Sequence, residues 1–205
     1  MEKVRGCPGE EEAWRLLTGL DPAKVETNAV AAFDPASSVY ILKCYGQSIR
    51  VSLKDRDIFG NSRIGNLLLE DLSEFSRPSI LRYLIHATDV PLSGKLMKPS
   101  ALPGGDIFVR GTHVLPLDKI GERFGNDRQG FLAKGGELGG IRLEYGDVSL
   151  KLAPFPNLPI VLIVWSANEE FPANASLLLD SSCTAHMATD VIWATTTMTI
   201  ELMLF

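Results

Sequence analysis

The clearest pattern along the chain has a period of two. In Ser48–Lys54, Ile49, Val51 and Leu53 alternate with Arg50, Ser52 and Lys54, which predicts a half-buried strand. Val39–Tyr45 precedes it, and Gly46-Gln47 reads as the two-residue turn of a hairpin. A second hairpin follows further along. Ile141, Leu143 and Tyr145 alternate with Arg142 and Glu144, Gly146-Asp147 turns, and Val148, Leu150 and Leu152 alternate with Ser149 and Lys151. Tyr45-Gly46 and Tyr145-Gly146 hold equivalent places, so an internal duplication stands beside ordinary hairpin chemistry as an explanation.

The alternation then stops. Ile160–Trp165, reached through Pro154-Phe-Pro-Asn-Leu-Pro159, is wholly apolar and predicts a central strand covered on both faces or lying mid-sheet. Ser176–Asp180 is its expected antiparallel neighbour, joined through the Asn168–Ala175 turn.

Helical spacing fills the rest. Glu10–Leu17 and Pro22–Ala32 read as short helices, the second opened by Asp21-Pro22 as cap and first residue. Pro78–Thr88 places Ile80, Leu81, Leu84 and Ile85 on a core face, with Arg82, His86 and Asp89 outward. Pro91–Gly105 is rich in proline and glycine and reads as a long irregular loop, a place where function tends to sit. Leu117–Phe124 and Arg128–Leu138 are further helices, the latter weakened by Gly135-Gly136. Thr189 or Asp190 caps a final helix, Val191–Phe205, whose sole charge at Glu201 predicts burial. Together these elements predict a single α+β domain over residues 1–205: a mainly antiparallel sheet of two hairpins plus a central apolar strand, with helices packed on it.

Composition narrows the function classes. With 205 residues, 45% hydrophobic and 22% charged, the chain buries a substantial core. A net charge of −5 and the lack of a basic run argue against nucleic acid and anionic membrane as partners. The six-residue run Ile160–Trp165 is far too short to span a bilayer. Cys7, Cys44 and Cys183 contain no CxxC pair, so neither a disulfide framework nor a cysteine-only zinc or iron–sulfur site is expected. Glu10-Glu11-Glu12 stands where a signal peptide would need its apolar core, which makes the cytoplasm the expected compartment.

Candidate chemistry gathers on the polar fringe of the last third. Glu169 and Glu170 lie in the acidic turn, and Asp180, Ser181, Ser182 and Cys183 end the second strand, with His186 three residues on. These are the candidate binding residues. Cys183 and His186 are the weak metal candidates, since zinc or iron accepts carboxylate, thiol and imidazole together. Cys183 beside His186 also has the makings of a thiolate–imidazole pair, though no catalytic signature surrounds it. The plainer reading carries more weight: the acidic pair is a solvated turn, Asp180-Ser181-Ser182 ends a strand, and Cys183 packs. His86 and His113 read as surface residues. Lys134-Gly-Gly-Glu-Leu-Gly-Gly140 lacks the ending of a phosphate loop and precedes a strand, so it reads as a helix end and turn. Asn174-Ala175-Ser176 fits a glycosylation acceptor, which has no use without export.

Leu158-Pro-Ile-Val-Leu-Ile-Val-Trp165, Glu169-Glu-Phe-Pro-Ala173 and Leu177-Leu-Leu-Asp-Ser-Ser182 resemble a prokaryotic family known as domain of unknown function 3786. Arg82-Tyr-Leu84, Pro91-Leu-Ser-Gly94 and Pro103-Gly-Gly105 fit the same family, so the resemblance covers roughly residues 25–190. It implies a single cytoplasmic domain typical of anaerobic bacteria and archaea. Some relatives add a cysteine-rich iron–sulfur module. This chain departs there, having no such cluster of cysteines. The resemblance supplies no catalytic residue.

The reading that follows is a non-enzymatic accessory or small-molecule- or cofactor-binding protein. Its site is expected between the Pro91–Gly105 loop and the Glu169–His186 segment. One alternative is a metal- or thiol-dependent hydrolase using Cys183, His186 and the nearby carboxylates. Another is a protein-interaction module. The residues name no cofactor, substrate or partner protein and leave the oligomeric state open.

Overall fold

A computed structural model describes residues 9–205, so Cys7 and the first residues of the chain lie outside it. Two antiparallel sheets form the frame. The first runs β1 (Ala32–Asp34), β2 (Val39–Cys44), β3 (Gln47–Ser52), β4 (Asp57–Gly60) in spatial order as in sequence. The second has five strands: β5 (Leu96–Met97), β6 (Ile141–Leu143), β7 (Val148–Phe155), β8 (Leu158–Trp165) and β9 (Asn174–Asp180), in the order β5-β9-β8-β7-β6. The helices are α1 (Glu10–Thr18), α2 (Pro22–Ala29), α3 (Arg63–Asn66), α4 (Ser73–His86), α5 (Leu117–Phe124), α6 (Arg128–Glu137), α7 (Cys183–His186) and α8 (Thr189–Leu204). This is the expected α+β class, but each hairpin belongs to a different sheet.

β8 is the middle strand of the five and is buried at every position except Trp165. Adjacent side chains point to opposite faces, so continuous burial means both faces are covered, as its unbroken apolar run requires. β9 pairs with it antiparallel from Ile160↔Leu179 to Trp165↔Asn174. α5 and α6 pack on this sheet, and α8 packs against α4 and α5. One buried apolar cluster runs through both sheets, from Leu42, Ile49 and Val51 to Leu150, Leu162 and Leu179.

Tyr45 joins the sheets. The hairpin turn is Tyr45-Gly46, one residue earlier than the alternation suggested, with Cys44 paired to Gln47. Both turn residues have positive φ, 49° and 73°, the primed geometry that matches the right-handed twist of paired strands. Tyrosine is strained there, and its contacts offset the strain. The Tyr45 N–H donates to the Ala153 carbonyl at 2.9 Å, and its buried hydroxyl meets Thr199 Oγ1 at 2.7 Å. Tyr145 has no such role. It is exposed, inside a longer connection in which Leu143 pairs with Ser149. The two Tyr-Gly pairs are therefore structurally unlike.

Other element ends also differ from the sequence pattern. α2 stops at Ala29 because Val30 turns left-handed and β1 begins soon after. α4 starts at Ser73, not Pro78, and carries the proline within it after a π turn over Leu67–Asp71. α8 starts at Thr189 after Ala188, and neither Thr189 nor Asp190 serves as its cap. The Thr189 hydroxyl instead donates to the Pro103 carbonyl at 2.8 Å.

Candidate functional site

The polar fringe and the Pro91–Gly105 loop do meet. Asp180, 3% exposed at the end of β9, is the centre of the contact. Its Oδ1 accepts from the Ser93 N–H (3.0 Å) and hydroxyl (2.7 Å) and from the Ser182 N–H (2.9 Å) and hydroxyl (2.7 Å). Its Oδ2 accepts from the Gly94 N–H at 2.8 Å. The Ser181 hydroxyl lies 2.8 Å from that of Ser93, and the Ser181 N–H donates to the Lys95 carbonyl. Burial pushes the Asp180 carboxyl up, but the hydrogen bonds from Ser182 and Ser93 outweigh it and hold the group far below the usual carboxylate range. The result is an ionised staple. It fastens the chain before β5 to the edge of the sheet, with four hydrogen bonds on Oδ1 and one on Oδ2.

Glu169 and Glu170 do not join it. They lie in the β8–β9 connection, at the opposite end of β9 from Asp180. Seven strand residues separate the two ends by roughly 20 Å. That connection is exposed and organised by Asn168, whose side-chain oxygen accepts the N–H groups of Glu170 and Phe171. The structure therefore does not bring the acidic pair and the strand end together.

Cys183 and His186 share the single turn of α7, both buried. Burial pushes the Cys183 thiol up to about 11, so it stays protonated at neutral pH and is a poor nucleophile and metal ligand. Burial likewise lowers the pKa of His186, against the pull of the Asp180 charge. His186 Nδ1 accepts from the Thr88 N–H at 3.4 Å, which places the ring proton on Nε2, an atom without a partner among the described residues. No group of three or more His, Cys, Asp or Glu side chains among the described residues is arranged to hold a metal ion.

A concave surface of another kind lies on the outer face of the first sheet. It is a groove of about 500 Å³ lined by Ala36, Ser37, Val39, Arg50, Ser52, Lys54, Asp55, Phe59 and Asn61. The outward parity of β3 supplies Arg50 and Ser52, and β4 sets Phe59 directly opposite Arg50. The β1–β2 and β3–β4 turns bring Ser37, Lys54 and Asp55 to its rim. Phe59 is 41% exposed. Asp55 is turned back onto Ser52, whose hydroxyl donates to it at 2.8 Å, and Asp34 nearby is taken up by Ser37 and the Ala36 N–H. Arg50, Lys54 and Asn61 have no side-chain hydrogen bond or ion pair among the described residues. A second depression of about 400 Å³, lined by residues 125–129 and Ser166, is already spanned by Arg128, which pairs with Asp147 at 2.9 Å and donates to Ser166. Sequence reasoning passed over the first groove. Its signal was Phe59, an aromatic at the parity that a half-buried strand reserves for polar residues.

The model of the family described as domain of unknown function (DUF3786) matches residues 21–202, and the chain belongs to that family. No curated protein and no solved structure matches it. No helix among the described residues is long and apolar enough to cross a membrane.

Proposed function

We propose that this member of the family is a non-enzymatic protein that binds a small molecule in the cytoplasm, and that the groove over β3 is its binding site. The observation that carries the reading is a contrast in commitment. At the Asp180 fringe the polar groups are spent on one another or buried, and the thiol is held protonated. In the groove, Arg50, Lys54 and Asn61 make no side-chain hydrogen bond or ion pair among the described residues and stand beside an exposed ring, within the volume range of ordinary ligand sites. The free thiols Cys44 and Cys183 suit a reducing compartment.

The hydrolase alternative has less support. It needs a thiolate or a metal where the structure has a buried thiol, a buried imidazole and a carboxylate that already accepts five hydrogen bonds. The test is ligand-observed NMR with a mixed panel of small organic compounds. Compounds that bind the wild type are expected to lose binding in the Arg50→Ala/Phe59→Ala double variant and to keep it in Ser181→Ala. Retention of every hit by the double variant would place the site elsewhere.

A further inference from the structure

From the same groove, and resting on the binding reading above, we infer the ligand class: a flat organic anion, with its ring on Phe59 and its anionic group between Arg50 and Lys54. Three features of the lining point to it. Arg50 and Phe59 are a directly opposed cross-strand pair, which sets their Cβ atoms about 5 Å apart on one face. A ring packed on Phe59 therefore carries any attached acidic group to the guanidinium. That guanidinium offers parallel N–H donors suited to a carboxylate or phosphate, and Lys54 adds a second charge at the rim.

The unpaired donors agree. The lining holds two cations, Arg50 and Lys54, and one carboxylate, Asp55, and the Arg50 charge also reaches the Asp34 carboxylate beside the groove. The acids around it keep their charge but have hydrogen-bond donors of their own: Asp55 from Ser52, Asp34 from Ser37 and Ala36, and Asp57 from Arg77 at 3.0 Å. Asn61 contributes a free amide donor. Ser37 and Ser52 already donate to these carboxylates, so the donors left for a ligand are cationic or amide N–H groups. Such donors suit the shared chemistry of carboxylate and phosphate.

Isothermal titration of the full chain with four probes tests this: phenyl phosphate, benzoate, benzyl alcohol and inorganic phosphate. Phenyl phosphate and benzoate are expected to bind, with benzyl alcohol and inorganic phosphate about tenfold or more weaker, since each lacks one half of the recognition. Phenyl phosphate exceeding benzoate, with the excess lost in Lys54→Gln, identifies a phosphate-bearing ligand. Benzoate at or above phenyl phosphate identifies a carboxylate. Arg50→Gln is expected to weaken both anions about tenfold while leaving benzyl alcohol unchanged. Because Arg50 is exposed, the fold is expected to tolerate that variant. Equal binding of benzyl alcohol and benzoate, or unchanged anion affinity in Arg50→Gln, overturns the anion assignment while leaving a groove ligand of another class. Failure of all four probes overturns the assignment as well, and the mixed-panel experiment then decides the binding reading by itself.

Discussion

Asp180 concentrates five donated hydrogen bonds on two oxygens, and the charge is what makes them strong. Asp180→Asn must turn an NH₂ group toward N–H or O–H donors, at a cost of about 1–3 kcal/mol. The pH dependence has a definite sign. The folded carboxyl titrates far below its unfolded value of about 4. The stabilisation is therefore complete above that value and drains away as pH falls below it. Urea unfolding between about pH 6 and pH 3 is expected to show wild-type stability falling, with the gap between wild type and Asp180→Asn closing toward the acid end. A gap that holds constant with pH would mean that the charge contributes nothing. The sequence revealed that Asp180, Ser181, Ser182 and the Pro91–Gly105 loop belong together. It did not reveal that Ser93 and Gly94 would donate to the carboxylate, because that depends on a loop reaching across the sheet edge from 86 or more residues away.

At the scale of elements, the loop from Pro91 to Gly105 is held by more than Asp180. Gly104 has a φ of +70°, and a Cβ on Gly105 would lie 2.3 Å from the Pro99 carbonyl oxygen. Both glycines are thus demanded by the backbone path, which accounts for the Pro103-Gly-Gly105 motif. Gly105→Ala is expected to cost about 2–4 kcal/mol in thermal or urea unfolding, because the colliding atom is backbone. Gly136→Ala supplies the contrast. That position lies inside α6 with nothing near its added methyl, so the change is expected to stabilise by about 0.5–1 kcal/mol. Two equal effects would contradict this account. Regular strands were the easiest elements to read, since the alternation at Ile49 and Val51 and the unbroken apolar run Ile160–Val164 state their burial directly. Element ends were harder. Tyr45-Gly46 became the turn because a tertiary partnership with Ala153 and Thr199 holds tyrosine at positive φ, and no local pattern encodes it.

Across the whole molecule, the two hairpins fall into two sheets joined at Tyr45, which leaves the outer face of the first sheet open to solvent. A single sheet of two hairpins, the simpler assembly of the same strands, would have suggested no such face. The groove therefore follows from the arrangement of the sheets, and its residues come mainly from two turns and three strands that sequence patterns treat separately. The most direct test of the central claim is a ¹H–¹⁵N correlation spectrum titrated with phenyl phosphate. The account predicts that shifts gather on Ser37, Arg50, Ser52, Lys54, Phe59 and Asn61. Shifts gathered instead on Ser93–Lys95 and Ser181–His186 would contradict it and return function to the C-terminal fringe.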